Sequence, residues 1–139
     1  MGGIATSIKS IYASNALKVA EGESQEYIIT RPRQFDPVIN VINLYGTQES
    51  RQSIEEIKDC WDTILEEITK IENKNEAVIL IGDANRHISN TLVKDNHSKS
   101  SPGGKLMVDF LDNNEYTVVN SMKCVTGGPF TRKSLSLIL

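Results

Sequence analysis

A chain of 139 residues with 39% hydrophobic and 24% charged residues is one domain or a piece of one, and that balance excludes wholesale disorder. Its formal net charge of −3 excludes a dedicated nonspecific DNA coat protein, and no apolar run approaches the ~18–20 residues that span a bilayer. Cys60 and Cys124 lie in no CxxC or cysteine/histidine cluster, so reduced thiols in an intracellular protein, nuclear or cytoplasmic, are expected.

The opening Met1-Gly2-Gly3-Ile4-Ala5 lacks the layout of a secretory signal. Gly3–Ile8 and Gln25–Thr30 are short β-prone stretches, with a polar turn, Glu21-Gly22-Glu23-Ser24, between them. Pro32 and Pro37 bracket a connection into Val38–Tyr45, whose β-branched content and bounding Pro37 and Gly46 favour a buried strand. Ile54, Ile57, Trp61, Ile64, Leu65, Ile68 and Ile71 then recur at helical spacing, and Ser53 with Glu56 has the form of a capping box. The acidic residues between them, Glu55 to Glu67, read as a solvated face, and the rhythm stops at Asn73-Lys74-Asn75. Ala77–Ile81 is a continuous apolar strand, expected from its pattern to be buried on both faces, that ends at Gly82. After a long loop come a helix near Gly104–Asn113 and strand candidates at Tyr116–Asn120 and Pro129–Arg132, with an apolar stretch at Ser134–Leu139. The order predicts a mixed α/β domain. Charge is uneven along it. Residues 1–83 carry 8 Lys+Arg against 14 Asp+Glu, and residues 84–139 carry 7 against 4, so the second half is mildly basic.

The chemistry concentrates at Gly82-Asp83-Ala84-Asn85, where the apolar strand ends. Alternation along an extended strand would project Asp83 and Asn85 to one side. A carboxylate beside a carboxamide suits phosphodiester hydrolysis: the first takes a proton from water, and the second orients that water or the phosphoryl oxygens. Both are hard oxygen donors suited to Mg²⁺. Taken alone, the same residues also describe a turn in which Asp and Asn satisfy their own backbone. Arg51 is a candidate phosphate contact or a surface ion-pair partner.

Four hydrophobic residues followed by Gly-Asp-x-Asn resemble a core motif of the endonuclease/exonuclease/phosphatase (DNase I-like) superfamily. Asn43-Leu44-Tyr45-Gly46 is similar to that family's upstream Asn-x-Tyr strand end, and one long amphipathic helix separates Tyr45 from Asp83 as in the family. Gly104-Lys105-Leu106 through Phe110-Leu111, then Val118-Val119-Asn120-Ser121, then Phe130-Thr131, resemble LINE-type retrotransposon endonucleases, and Gly2-Gly3-Ile4-Ala5 resembles the strand that follows the family's metal-binding glutamate. The resemblance implies a DNase I-like two-sheet sandwich flanked by helices. It implies Asp83 as general base, Asn85 as a positioning group for phosphate or nucleophile, and Tyr45 at the phosphate or leaving group, with Asn43 and Arg51 on the substrate. Asp83 and Asn85 would contribute to Mg²⁺ binding, with Mn²⁺ as the alternative ion, and nucleic acid would be the partner.

The chain departs from that pattern at both ends. Nothing before Gly2 supplies the family's asparagine and metal-binding glutamate, Ser136 stands where an aspartate is expected, and no Ser-Asp-His segment follows. Residues 1–139 therefore read as a partial domain. Without the glutamate, metal binding is expected to be weak or absent. Loss of a catalytic histidine alone costs about 10²–10⁴ in rate, so little or no nuclease activity is expected of this chain alone. A non-catalytic scaffold or binding module derived from the fold is the competing reading, and a small phosphodiester such as a phosphoinositide is the competing substrate. His87 and His97 form no metal pair. Pro102-Gly103-Gly104-Lys105-Leu106 is no phosphate loop by motif, since Lys99 takes the first-glycine position and Leu106 replaces Ser/Thr.

Overall fold

The computed structural model of the protein describes residues 4–22, 27–32, 35–86, 100–118 and 136–137. A short helix α1 (Ser10–Ala13) leads into strands β1 (Ala16–Glu21), β2 (Tyr27–Pro32) and β3 (Ile39–Tyr45). Helix α2 (Ile54–Glu72), strand β4 (Ala77–Asp83), helix α3 (Pro102–Asn113) and the two-residue β5 (Ser136–Leu137) follow. The strands form one mixed sheet in the order β1-β2-β3-β4-β5, in which only β3 and β4 run parallel. The fold class is α/β, as the order of apolar patterns predicts.

Register explains which residues are buried. Tyr27 pairs with Leu44, Ile29 with Ile42, and Ile42 with Leu80, so these five side chains share one face. That face packs with Ile57, Trp61, Ile64, Ile68 and Ile71 of α2 and Met107, Phe110 and Leu111 of α3 in a single core. The Trp61 and Phe110 rings meet at 4.7 Å between centroids, and Tyr116 stacks on Phe110 at 6.1 Å. On the opposite face Ile28, Val41, Ile79 and Ile81 are only half-buried, so β4 is not buried on both faces as its apolar run predicts.

Helix α2 begins as the sequence predicts. The Ser53 side chain accepts from the Glu56 amide at 3.1 Å, and Glu56 reaches back to the Ser53 amide at 2.7 Å. It ends where Asn75 adopts a left-handed conformation (φ 55°), which asparagine tolerates well. Ile54, in its first turn, is exposed rather than part of the core. Helix α3 starts two residues earlier than the apolar rhythm suggests, because Ser101 caps Gly104 and Pro102 occupies the first turn.

The N-terminal prediction is corrected. Residues 4–9 form no strand, and the partner of β2 is Ala16–Glu21, whose Ala/Lys/Glu-rich composition carries no β signal. β1 ends at Glu21 and the Gly22 amide donates to the Tyr27 carbonyl at 3.0 Å, while Glu23 and Ser24 of the expected turn lie outside the described residues. Residues 116–118 are not strand, and the remainder of that candidate, Pro129–Arg132 and Cys124 lie outside the described residues. Among the described residues no helix is long and apolar enough to cross a membrane.

At the sheet end opposite the β3 and β4 carboxyl termini, fully buried Asn40 joins three elements. It accepts from Arg31 Nε at 3.0 Å and donates to Glu76 Oε2 at 2.9 Å, while Arg31 Nη2 meets the same oxygen at 2.7 Å. Truncation there would leave a guanidinium and a carboxylate short of partners in a desolvated site. We expect Asn40→Ala to cost about 2–3 kcal/mol in urea unfolding.

Tyr116 presents the reverse case. Among the described residues its buried hydroxyl has no hydrogen-bond partner, and burial, aided by Glu72, pushes its pKa up to about 12. The unfolded phenol ionises near pH ~10, so the stability held by the neutral form is complete below that pH and is lost as pH rises through 12. Tyr116→Phe should match or exceed the parent's stability at pH 7 and lose this alkaline dependence, readable by denaturation at stepped pH.

Candidate active site

Strands β3 and β4 end side by side. Leu44 pairs with Gly82 and Tyr45 with Asp83, while on the other side of β4 Ser136 of β5 pairs with Asp83. The carboxyl ends of parallel strands are where open α/β sheets place their sites, because the chain leaves the sheet there in loops that can converge. Register puts Tyr45, Asp83 and Asn43 on the sheet face opposite the helices. Tyr45 is 48% exposed and Asp83 is partly so.

Gly82 makes this end possible. It has φ +121°, and a Cβ there would collide with the backbone carbonyl of Leu44. Beyond it the strand stops at Asp83, and the expected alternation fails. Asn85 turns into the left-handed region (φ 51°), its amide donating to Asp83 Oδ1 at 2.9 Å. Asp83 and Asn85 are thus brought together by an Asx turn, the local arrangement that the residues taken alone also allow.

Asn85 does more than close that turn. Its Nδ2 donates to the Gly46 carbonyl at 2.6 Å, while the Gly46 amide donates to the Asp83 carbonyl at 2.7 Å. The exits of β3 and β4 are fastened to each other, which fixes the spacing between Tyr45 and Asp83. Asn43 has a structural engagement too: its amide donates to Ala5 O at 3.2 Å and Thr6 Oγ1 at 3.3 Å, holding the N-terminal segment against the sheet. Arg51 lies exposed in a 3-10 turn, Glu49–Arg51, between β3 and α2. His87 and His97 lie outside the described residues.

The cation that sequence reasoning missed is Arg86. It is buried, donating through Nη1 to the carbonyls of Thr47 and Asn85 and through Nη2 to Gln52 Oε1 at 2.8 Å. Burial draws its pKa below the ordinary value, and Glu49 opposes that shift. Position next to Asn85 was the available signal. Nothing in the residue types said that Arg86 rather than Arg51 would turn inward. Beneath it lies a cavity of about 20 Å³ bordered by Leu44, Thr47, Gln52, Cys60, Trp61 and Arg86. That volume suits one water-sized particle and is too small for a substrate.

For a metal ion the site offers the Asp83 carboxylate and the Asn85 carboxamide oxygen. Among the described residues no group of three or more His, Cys, Asp or Glu side chains could hold an ion. Two oxygens fit an ion that keeps most of its water and takes further ligands from a substrate phosphate, as Mg²⁺ does, rather than a protein-built cage.

Substitutions at Asn85 separate its two contributions. Asn85→Gly retains easy access to left-handed φ but removes the clamp on Gly46, and should cost about 1–2 kcal/mol in urea unfolding. Asn85→Ala removes both and should cost about 1 kcal/mol more. Equal costs would mean that the backbone conformation carries no strain.

Comparison with family models, curated proteins and solved structures gives no match to this chain.

Proposed function

We propose that this chain carries part of a Mg²⁺-dependent phosphodiesterase site, with Mn²⁺ as an alternative ion, and that the substrate is the backbone of a nucleic acid. The observation that carries the reading is the pairing of Tyr45 with Asp83 at the shared end of the only two parallel strands among the described residues, joined by the Gly46–Asn85 clamp. It adds to the resemblance of Gly-Asp-x-Asn and Asn-x-Tyr to the endonuclease/exonuclease/phosphatase superfamily. The half-buried apolar face formed by Ile28, Val41, Ile79 and Ile81 is what a second sheet of a DNase I-like sandwich would cover.

In this mechanism Asp83 accepts a proton from the attacking water through the oxygen not held by the Asn85 amide. Asn85 fixes the loop and turns its carboxamide oxygen toward ion or water. The exposed Tyr45 hydroxyl donates to a phosphoryl or leaving oxygen. A bound ion would supply charge stabilisation of the phosphoryl oxygens, held by Asp83 and Asn85 together with water. Asn43 and Arg51 are the remaining substrate contacts of this proposal. Asn43 would act from the position in which it already holds Thr6, and Arg51 as a mobile surface charge.

A non-catalytic scaffold is the second reading, favoured by the completeness with which Asp83 and Asn85 satisfy backbone groups. Amide chemical shifts distinguish the two. Mg²⁺ with a short oligonucleotide should move the Asp83, Ala84 and Asn85 signals. Any cleavage of supercoiled plasmid should be weak and should fall at least ~10²-fold in Asp83→Ala. Unmoved amides would leave the scaffold reading standing, and cleavage that survives Asp83→Ala would remove Asp83 from the mechanism.

A further inference from the structure

The start of α3 holds an anion from within the chain. The Gly103 amide, in the first turn of this twelve-residue helix, donates to Glu49 Oε1 at 2.7 Å, beside the Ser101 cap on Gly104. Pro102 has no N–H and Ser101 takes the Gly104 amide, so the Gly103 amide and the positive end of the helix dipole are what favour an oxyanion there. Arg86 supplies an independent sign of the same preference. It is 7% exposed, and among the described residues its buried Nε has no hydrogen-bond partner.

Nε also lies at this place. A Cβ built on Gly103 would stand 2.9 Å from Arg86 Nε and Cδ and 3.2 Å from Glu49 Cδ, so guanidinium, carboxylate and helix start share one small space. Among the described residues the acceptors that Arg86 engages, Thr47 O, Asn85 O and Gln52 Oε1, are all neutral. Among the described residues no carboxylate lies within ion-pair distance of it. A buried guanidinium without a paired carboxylate, next to a helix amide, is matched to a ligand with more than two oxygens and more than one charge.

We propose that Arg86 and the first turn of α3 form a binding site for a phosphate-class oxyanion, in which the Glu49 carboxylate is a displaceable internal occupant. Glu49 is suited to leave. It belongs to a single 3-10 turn on the connection between β3 and α2, and its residue is only half-buried. Phosphate would take the Gly103 amide from Glu49 and give the Arg86 Nε its missing acceptor. The site is separate from Asp83 in its groups, so it stands whether or not the phosphodiesterase reading does.

Internal competition predicts that removing Glu49 strengthens binding. Inorganic phosphate titrated into the full chain at constant ionic strength should shift the Gly103 and Gly104 amides and the Arg86 Nε–H signal. The midpoint should be roughly ten-fold lower in Glu49→Ala than in the parent, and lowered to a smaller extent in Glu49→Gln. Glu49→Gln keeps an oxygen for Gly103 and decides the matter if the alanine variant does not fold. Sodium acetate forms the second arm, and it should bind more weakly than phosphate in every variant. Acetate binding as tight as phosphate would overturn the phosphate class. Equal midpoints with and without Glu49, or shifts confined to other amides, would overturn the site.

Discussion

The hydrogen bond from Asn85 Nδ2 to the Gly46 carbonyl, with the Gly46–Asp83 backbone bond beside it, is the constraint on which this end of the molecule depends. Parallel strands diverge into separate loops unless something holds their exits together. Here the first loop leads past Glu49 to Gln52 and the second begins with Asn85 and Arg86, so fastening Gly46 to Asn85 brings the starts of the two loops together. Arg86 then completes the work by reaching back to Thr47 and Gln52. The exposed phenol of Tyr45 and the carboxylate of Asp83 hold their separation because the backbones beneath them are tied, not because the two side chains touch.

This arrangement divides polar groups by what they can still do. Asn43, Asn85 and Arg86 are engaged with carbonyls or side chains of the chain itself, and their capacity for a ligand is what those bonds leave over. Tyr45 and Arg51 are exposed at the rim. In the proposed function, these exposed groups over a fastened inner layer would meet a polymer backbone at the surface, beside a cavity large enough only for a water.

The elements that could be read in advance are those in which pattern and capping agree. α2 announced itself through the spacing from Ile57 to Ile71 and through Ser53 and Glu56, while β4 did so through five apolar residues before Gly82. β1 could not be read, because Ala16–Glu21 is a strand only by virtue of pairing with β2 at an exposed edge. The start of α3 was legible in Ser101-Pro102 but hidden behind glycines with no apolar rhythm. At the site, residue types pointed to Asp83, Asn85 and Tyr45, whereas the inward turn of Arg86 depends on Gln52 and Thr47, more than thirty positions away. Alternation suggested parallel side chains for Asp83 and Asn85; the left-handed backbone at Asn85 is a property of the folded loop.

The buried Arg31–Asn40–Glu76 group has a consequence for how the sheet assembles. A slip of β3 by one residue would carry Asn40 to the other face and leave Arg31 and Glu76 facing each other without their bridge. Apolar strands such as Ile28-Ile29 and Val41-Ile42 discriminate poorly between neighbouring alignments, since isoleucine or valine fills either position. The polar triad penalises every alignment but one. It acts as an alignment key for the three central strands, and through them it decides that Tyr45, and not Leu44, arrives beside Asp83.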